Sequence, residues 1–341
     1  MLDLLIQNAS VIDGTGAPAF QADIGVKEGC ITLQTDGQKA KEIINAQGLT
    51  LCPGFIEAHS HGDMSIGTEH GTLCKVSQGV TTEIGGQCGQ SPFPIDTRFL
   101  QEVNDIMAFS PDFQKMPHES FSDYRAYEAY TKTLPLAINM MCLVGHNTLR
   151  VSVMGVENRE PTAAEFELMK ERLKKCMEQG AMGLSSGLIY IPGVYCKTEE
   201  VIELCKVIKP YGGVYATHMR DEARNVVESV REAIYIAEQA QVPLVISHHK
   251  VCGRAFWGKS AETLKLIDEA AARGVEIMLD QYPYEANMTA LNVCIPPWYF
   301  AEGMESVMEK LRDPVWREKI AGEMNDPDGG YDNFYLNSGG F

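Results

Sequence analysis

The chain has 341 residues, of which 45% are hydrophobic, and its formal net charge is −17. This size allows one barrel-sized core with a small appended domain. The charge argues against nucleic acid or an anionic membrane as the main partner, because both would repel the chain. No apolar run reaches the roughly 20 residues that cross a bilayer. Ten scattered cysteines, with no secretory leader pattern in front of them, favour a reducing cytoplasm.

The first fifty residues predict a small β-domain. Residues 3–7, 23–27 and 30–34 alternate apolar and polar side chains, as half-buried strands do. Pairs that favour tight turns follow or separate these segments. The predicted turns are Asp13-Gly14, Glu28-Gly29 and Asp36-Gly37.

From residue 54 onward, apolar runs alternate with helical stretches, which is typical of βα units around a parallel sheet. Seven strands are predicted, at 54–59, 80–85, 140–145, 181–185, 213–217, 243–247 and 275–280. No Gly-x-Gly-x-x-Gly follows the first strand, and ligand-type side chains end at least four strands. The pattern therefore favours a TIM-type (β/α)8 barrel, with its chemistry where the strands finish, over a doubly wound sheet.

Helix boundaries are marked by capping residues. Thr162 and Glu165 form the capping-box pattern at the start of one helix, and Gly180 is expected to end it. Thr198 is a further N-cap candidate, followed by two glutamates that the helix dipole favours.

Histidine and cysteine residues stand at the ends of four predicted strands. His59 and His61 are two residues apart and point to the same side of an extended chain. The others are Cys88 after the second strand, His218 after the fifth and His248 after the sixth. A single histidine or cysteine is usually a packing residue, but joint placement on one rim predicts a site for a borderline-soft ion such as zinc. His70, His118 and His146 show no comparable convergence.

Longer motifs surround these residues. They are PGFIEAHSH at 53–61, GVTT at 79–82 leading into QCG at 87–89, VGHNTLR at 144–150, GLSSGL at 183–188, YATHMRDE at 215–222, ISHHK at 246–250 and DQYPY at 280–284. In these motifs the chain resembles the N-acyl-D-amino-acid deacylases, or D-aminoacylases, of the metal-dependent amidohydrolase superfamily. Cys88 is the most specific feature, since dihydroorotases and hydantoinases typically bridge their metals with a carboxylated lysine on strand four.

The resemblance implies both an architecture and a ligand set. Residues 1–52 would be part of a small β-sandwich, and 53–341 an amidohydrolase barrel that lacks its eighth strand, with 285–341 inserted after strand seven. One or two zinc ions are expected. His59 and His61 would hold one position, Cys88 would be shared, and His218 with His248 would complete the tighter position. His248 is preferred to His249 because it directly follows Ile246-Ser247, as the motif requires.

The implied reaction is hydrolysis of the amide bond of N-acyl-D-amino acids by zinc-activated water. Lys250, Tyr282 and Thr289 are the candidate substrate-binding residues, although Lys250 is equally compatible with a solvated charge. The family's proton shuttle is an aspartate that closes strand eight, and none of Asp326, Asp328 and Asp332 closes an apolar strand.

We therefore expect a truncated deacylase that retains zinc and hydrolyses little substrate. Two alternatives stay open: a cyclic-amide hydrolase of the dihydroorotase or hydantoinase type, and a non-catalytic zinc-binding remnant. The sequence leaves the oligomeric state undecided.

Overall fold

The computed structural model describes residues 1–68, 72–284 and 286–339. His70 therefore lies outside the described residues, as do positions 285, 340 and 341 of the predicted 285–341 segment. The chain divides into two compact units, Met1–Phe55 and Ile56–Phe341.

The first unit is a single five-stranded sheet. Its strands are β1 (Leu2–Val11), β2 (Phe20–Lys27), β3 (Cys30–Thr32), β4 (Ala40–Asn45) and β5 (Thr50–Leu51). The order is β3-β2-β1-β4, and β5 also pairs with β1. Ala9, Val11, Ile24 and Ala46 form its buried core.

The predicted turn at Glu28-Gly29 is confirmed. These residues join the antiparallel strands β2 and β3, and their φ angles are 52° and 77°. Positive φ at both central positions is the requirement of a type I′ hairpin turn, whose twist matches that of the strands.

The second unit is built on parallel strands. They are β6 (Phe55–Glu57), β7 (Val80–Gly85), β8 (Asn139–Cys142), β9 (Val144–Gly145), β10 (Gly183–Gly187), β11 (Val214–His218), β12 (Leu244–Ile246) and β13 (Ile277–Leu279). One sheet has the order β6-β7-β8, and the other runs β13-β12-β11-β10-β9. The parallel pairings in chain order place the carboxyl ends of successive strands along one edge of each sheet.

The prediction of one strand at 140–145 is wrong, because this segment forms two strands in different sheets. β8 pairs with β7, whereas β9 pairs with β10. Leu143 lies between them, and its backbone N–H still donates to the carbonyl of Gly85 at 3.0 Å. The chain thus changes neighbours after Leu143, which an apolar run by itself does not reveal.

Helices separate the successive strands of the second unit, except β8 and β9, and the last three helices follow β13. The helices are α1 (Leu73–Val76), α2 (Leu100–Ile106), α3 (Tyr124–Thr131), α4 (His146–Met154), α5 (Ala163–Glu178), α6 (Thr198–Ile208), α7 (Val226–Ala240), α8 (Ser260–Ala272), α9 (Met304–Arg312), α10 (Pro314–Met324) and α11 (Phe334–Asn337). The capping box of Thr162 and Glu165 is confirmed at the start of α5. The N-cap prediction for Thr198 is wrong: α6 begins at Thr198, whose hydroxyl donates to Glu232 at 2.8 Å.

Helix α7 shows why these helices pack on the sheet. Val226, Val230, Ala233, Ile234 and Ala237 are buried, and their spacing of three and four residues places them on one helical face. This face joins the main apolar core, which includes inner residues of β10, β11 and β12. Burial of this apolar surface is the main force that fixes the strand ends.

After β13, described residues 286–339 contain helices and turns, and this part of the chain contains no strand. Tyr299, Phe300, Val307 and Ile320 form a separate apolar cluster there. Among the described helices, none is long and apolar enough to cross a membrane.

Candidate metal centre

The structure brings all five predicted ligands together at the carboxyl ends of four strands. His59 and His61 follow β6, Cys88 follows β7, His218 ends β11 and His248 follows β12. The ligand atoms of His59, His61 and Cys88 lie within 4.8 Å of one another, and so do those of Cys88, His218 and His248. Cys88 belongs to both groups, so it lies between the two histidine pairs.

The distances around Cys88 fit zinc. Its Sγ atom lies 3.4 Å from His59 Nε2 and 3.5 Å from His248 Nε2. Two ligands of one tetrahedral zinc, at about 2.3 Å for sulfur and about 2.0 Å for nitrogen, are separated by about 3.5 Å. A thiolate with imidazoles is also the donor set that zinc prefers.

Two of the histidines have the properties of neutral bases; His218 is buried and His61 is half-buried. Among the described residues, His61 Nδ1 and His218 Nε2 have no hydrogen-bond partner. Burial lowers the pKa of His61 to about 3, with the neighbouring charges of His59 and His248 adding to the effect. Burial also holds the pKa of His218 well below its usual value. Neutral imidazole is the form that binds a metal ion, so these unpartnered nitrogens fit a metal site.

The backbone at two predicted ligands is strained. Cys88 has a φ of 54° and His248 has a φ of 37°. Residues with a side chain rarely occupy this region, and they persist there when surrounding contacts hold them. At both positions the unusual backbone directs the side chain into the cluster.

Asp280 joins two of the predicted ligands and was not foreseen in this role. Its Oδ2 atom lies 3.0 Å from His59 Nδ1, and its Oδ1 atom accepts from the backbone N–H of His248 at 2.5 Å. A carboxylate on Nδ1 fixes the tautomer that leaves the His59 Nε2 lone pair facing Cys88. The sequence signal was its position at the end of the seventh predicted strand.

Replacing Asp280 with alanine is therefore expected to weaken zinc binding by about 10- to 100-fold while the chain stays folded. His59 would lose its orienting partner, and the His248 amide would lose its acceptor. Equilibrium dialysis against a zinc-buffered chelator measures the change. Asp268→Ala, at an exposed position on α8, is the matched control, and equal zinc affinity in the two variants would contradict the role of Asp280.

Glu222 links His248 to Lys250 behind the cluster. Its Oε1 atom lies 2.8 Å from His248 Nδ1, and its Oε2 atom lies 2.6 Å from Lys250 Nζ. Burial by itself would raise the pKa of Glu222, but His218, His248 and Lys250 together hold it well below its usual range. Lys250, a predicted substrate-binding residue, thus lies in an internal ion pair in this structure.

The other two predicted substrate residues lie near the cluster in different ways. The Tyr282 ring centre is 5.7 Å from Lys250 Nζ. Thr289 Oγ1 lies 3.1 Å from the hydroxyl of Tyr190, which is 3.4 Å from His218 Nδ1. His61, Tyr190 and Thr289 all line a cavity of about 690 Å³. Tyr190 was not assigned a role from the sequence, although it follows the GLSSGL motif.

His249 and His146 lie outside this cluster. His249 Nε2 is 3.0 Å from Thr263 Oγ1 on α8, so the ring points toward the helices.

His146 Nε2 lies 2.8 Å from Glu200, which also pairs with Arg150 at 2.6 Å. His146 and Glu200 form a third metal-type group with Cys196, but the Arg150 guanidinium already supplies the positive charge there. We therefore interpret the group of His146, Cys196 and Glu200 as structural.

Asp63 is a further residue that sequence reasoning missed. It follows His61 by two residues, is fully buried, and its Oδ2 atom accepts from Gly86 N at 2.9 Å. Gln87 Nε2 donates to the carbonyl of Ala58 at 2.9 Å across the same gap. These two bonds tie the loop of His59 and His61 to the turn that carries Cys88.

The fold and the site define an α/β protein with a candidate metal centre at the carboxyl edge of its parallel strands. Residues 42–316 match the Amidohydrolase family, and the chain belongs to this family. The resemblance expected from the motifs is therefore confirmed.

Several relatives have been named by their substrates. A D-aminoacylase from Alcaligenes xylosoxydans xylosoxydans is 39% identical over 291 residues, which are 85% of this chain and 59% of that protein. An N-acyl-D-aspartate deacylase from the same organism is 38% identical over 294 residues, 85% of this chain and 58% of that protein. The chain thus spans a little under three fifths of the length of these relatives.

A solved structure gives the same likeness in three dimensions. It is N-acyl-D-glutamate deacylase from Bordetella bronchiseptica, complexed with zinc and a phosphonate inhibitor that mimics the tetrahedral intermediate. The identity is 35%, the TM-score is 0.76, and the match covers 83% of this chain and 59% of that one.

Proposed function

We propose that this chain carries the metal- and substrate-binding part of a zinc-dependent hydrolase that cleaves the amide bond of N-acyl-D-amino acids. The observation that carries the proposal is the position of Cys88 between two pairs of histidines. The names of the relatives support the substrate class, and the zinc complex of the Bordetella protein supports the metal.

The finer architecture belongs to the same proposal. The seven strand positions run in chain order, which supports a TIM-type (β/α)8 arrangement in which β8 and β9 share the third position. Residues 1–52 would contribute to a β-sandwich, and 285–341 would be an insertion after strand seven. A cytoplasmic location, with a small-molecule substrate as the partner, completes the proposal.

His59, His61, Cys88, His218 and His248 would hold one or two zinc ions. When bound, zinc supplies Lewis-acid activation of water and of an amide carbonyl. Asp280 fixes the His59 ring through Nδ1. At the His248 ring, Nδ1 lies 2.8 Å from Glu222 Oε1 and 3.1 Å from Lys250 Nζ. In both rings Nε2 is directed at Cys88.

Substrate binding falls to residues on the cavity side of the cluster. Thr289 and Tyr190 offer hydroxyl groups, while Lys250 with Tyr282 lies at the back, where Glu222 holds the ammonium group. Lys250 stays the candidate for the substrate's α-carboxylate, which would have to share the ammonium group with Glu222. Proton delivery to the departing amine is assigned to none of the described residues.

Strand β10 distinguishes this proposal from a cyclic-amide hydrolase. The hydantoinase type would require a carboxylated lysine on the fourth strand, and β10 has the sequence Gly-Leu-Ser-Ser-Gly. Metal bridging would therefore have to come from Cys88, which is the deacylase arrangement.

Zinc-loaded protein should bind N-acetyl-D-methionine more tightly than N-acetyl-L-methionine or 5-substituted hydantoins. It should hydrolyse the D-substrate slowly, because none of the described residues is assigned to deliver the proton. Bound zinc is measured by plasma emission spectroscopy after dialysis, and hydrolysis by release of the free amine. Faster hydrolysis of hydantoins would favour the cyclic-amide class instead. Zinc binding without calorimetric affinity for either N-acetyl enantiomer would identify a non-catalytic zinc protein.

A further inference from the structure

His61 is held differently from His59, the other histidine of its loop. The His59 ring has a carboxylate on Nδ1, from Asp280 at 3.0 Å. The Nδ1 atom of His61 has no hydrogen-bond partner within the described residues. The position of the His61 ring therefore depends more on the backbone at Ser60 and Gly62, the residues on either side of it.

Lys75 binds the residue before His61. Its Nζ atom donates to Ser60 Oγ at 3.1 Å and to a carboxylate oxygen of Glu57. Ser60 Oγ in turn accepts from the backbone N–H of Gly62 at 3.1 Å. One ammonium group on α1 thus contacts the chain on both sides of His61 through a single hydroxyl.

Glu83 lies against the residue after His61. Its side chain comes from β7 and is fully buried. A Cβ atom added at Gly62 would overlap Glu83 Oε1, so a residue larger than glycine would collide with this carboxylate. Neither of its oxygens has a hydrogen-bond partner in the described part of the chain, and Lys75 Nζ is 3.6 Å from Oε2. The ammonium group therefore compensates a buried charge that would otherwise be very costly.

These contacts concern one half of the candidate centre. The ligand atoms form two groups that share Cys88, one with His59 and His61 and the other with His218 and His248. The polar contacts of Lys75 go to residues 57, 60 and 83, which belong to β6, β7 and the loop between them. Loss of Lys75 should therefore disturb the first group and leave the second in place.

We propose that Lys75 is a positioning residue for the metal position formed by His59, His61 and Cys88, and that it acts through Ser60 and Glu83. In this role it holds the backbone of the loop and needs no contact with the ion. The inference rests on the proposed function, because it concerns one position of the same zinc centre.

Zinc titration of Lys75→Met tests the inference, because methionine keeps much of the aliphatic chain and removes the ammonium group. His61→Ala shows which of two zinc-binding steps belongs to this position. In Lys75→Met that step should weaken by about 10- to 100-fold, the usual cost of losing a residue that orients a ligand, while the other step stays as in the wild type. Lys75→Arg restores a positive donor and should recover part of the affinity. Equal weakening of both steps, no weakening, or a wild-type protein that binds fewer than two zinc ions would overturn the inference.

Lys310→Met is the matched control. The Lys310 side chain is 18% exposed, against 19% for Lys75. Its Nζ atom also binds a carboxylate and a serine hydroxyl, Glu302 at 2.7 Å and Ser306 at 2.6 Å. Lys310 is on α9, which carries none of the predicted ligands, so both zinc affinities should be unchanged. A comparable fall in this control would contradict a specific role for Lys75.

Hydrogen exchange of the metal-free protein provides a readout that does not depend on zinc. The amides of residues 58–63 should exchange severalfold faster in Lys75→Met than in the wild type or in Lys310→Met, because the loop has lost its contact with α1. Unchanged exchange in a folded Lys75→Met variant would count against the role of Lys75.

Ser60→Ala decides the question if Lys75→Met does not fold. This variant removes the hydroxyl between Lys75 and Gly62 and keeps the ion pair with Glu83. The same selective weakening of one zinc-binding step is expected, and wild-type binding of both ions would overturn the inference while the proposed function stands. Two bound zinc ions without affinity for N-acetyl-D-methionine would instead contradict the proposed function, and the comparison of variants would still decide the role of Lys75.

Discussion

Replacement of Cys88 by alanine is expected to reduce zinc affinity by well over about 10²-fold, since loss of a residue that only orients a ligand already costs 10- to 100-fold. Cys88 Sγ is the one donor common to both groups of ligand atoms, at 3.4 Å from His59 Nε2 and 3.5 Å from His248 Nε2. Its loss would therefore weaken both halves of the centre. Zinc retained after dialysis against a buffered chelator measures the effect.

Cobalt provides a second readout for the same variant. A cobalt-loaded protein with a coordinated thiolate shows sulfur-to-metal charge-transfer absorption, and Cys88→Ala should abolish this band. The absorption reports the bond itself, so a general loss of packing would not imitate it in a folded variant.

Cys205→Ala is the matched control. Cys205 is fully buried on α6, and burial raises its pKa well above the usual value. Removing this thiol deletes the same atom from the core but should leave zinc content and the cobalt band unchanged. Wild-type zinc affinity in Cys88→Ala would reject Cys88 as a ligand and would reopen the cyclic-amide alternative.

The sequence was most informative where the chemistry coincides with a strand end. His59, His61, Cys88, His218 and His248 could be selected because each follows an apolar run, and parallel strands place such ends at one edge. The structure places these five side chains together. Their role as ligands stays a prediction that the Cys88 variant tests.

Partners that are distant along the chain could not be predicted. Asp280 lies 221 residues from His59, with which it pairs, and nothing in the local pattern specifies that contact. Lys250 was a candidate for the substrate carboxylate, but the structure pairs it with Glu222 at 2.6 Å. Periodicity reports which face a residue occupies, and it does not report which residue lies opposite.

The same limit explains the errors in the fold. The sequence at 140–145 predicts one apolar strand. In the structure the first part of this segment pairs with β7 and the last part pairs with β10. Thr198 has a residue type that is common at N-caps, but its hydroxyl donates to Glu232. In both cases a tertiary contact overrides a local preference.

Gly86→Ala is expected to destabilise the protein by about 3 kcal/mol or more, from overpacking together with strain at a positive φ. Gly86 has a φ of 71°, and an added Cβ would overlap the carbonyl oxygen of Leu143 and lie 2.8 Å from the Leu143 nitrogen. Both are backbone atoms, which cannot rotate away. Urea denaturation followed by circular dichroism measures the loss.

Gly86→Ala should reduce the affinity for zinc as well as the stability of the fold. Gly86 N donates to Asp63 Oδ2 at 2.9 Å, and that bond holds the Cys88 turn against the loop of His59 and His61. A shift of Gly86 away from Leu143 would therefore displace the two ligand-bearing loops relative to each other.

Gly212→Ala separates the two causes of the Gly86 effect. Gly212 has a φ of 66°, but an added Cβ there would meet no atom within 4 Å. This variant should lose only the conformational contribution, about 1 kcal/mol, and should keep its zinc. The difference between the two variants then measures the close approach of Gly86 to Leu143. If both lose the same stability, the backbone around Cys88 has room to relax, and the strain at Cys88 and His248 would need a source other than tight packing of these loops.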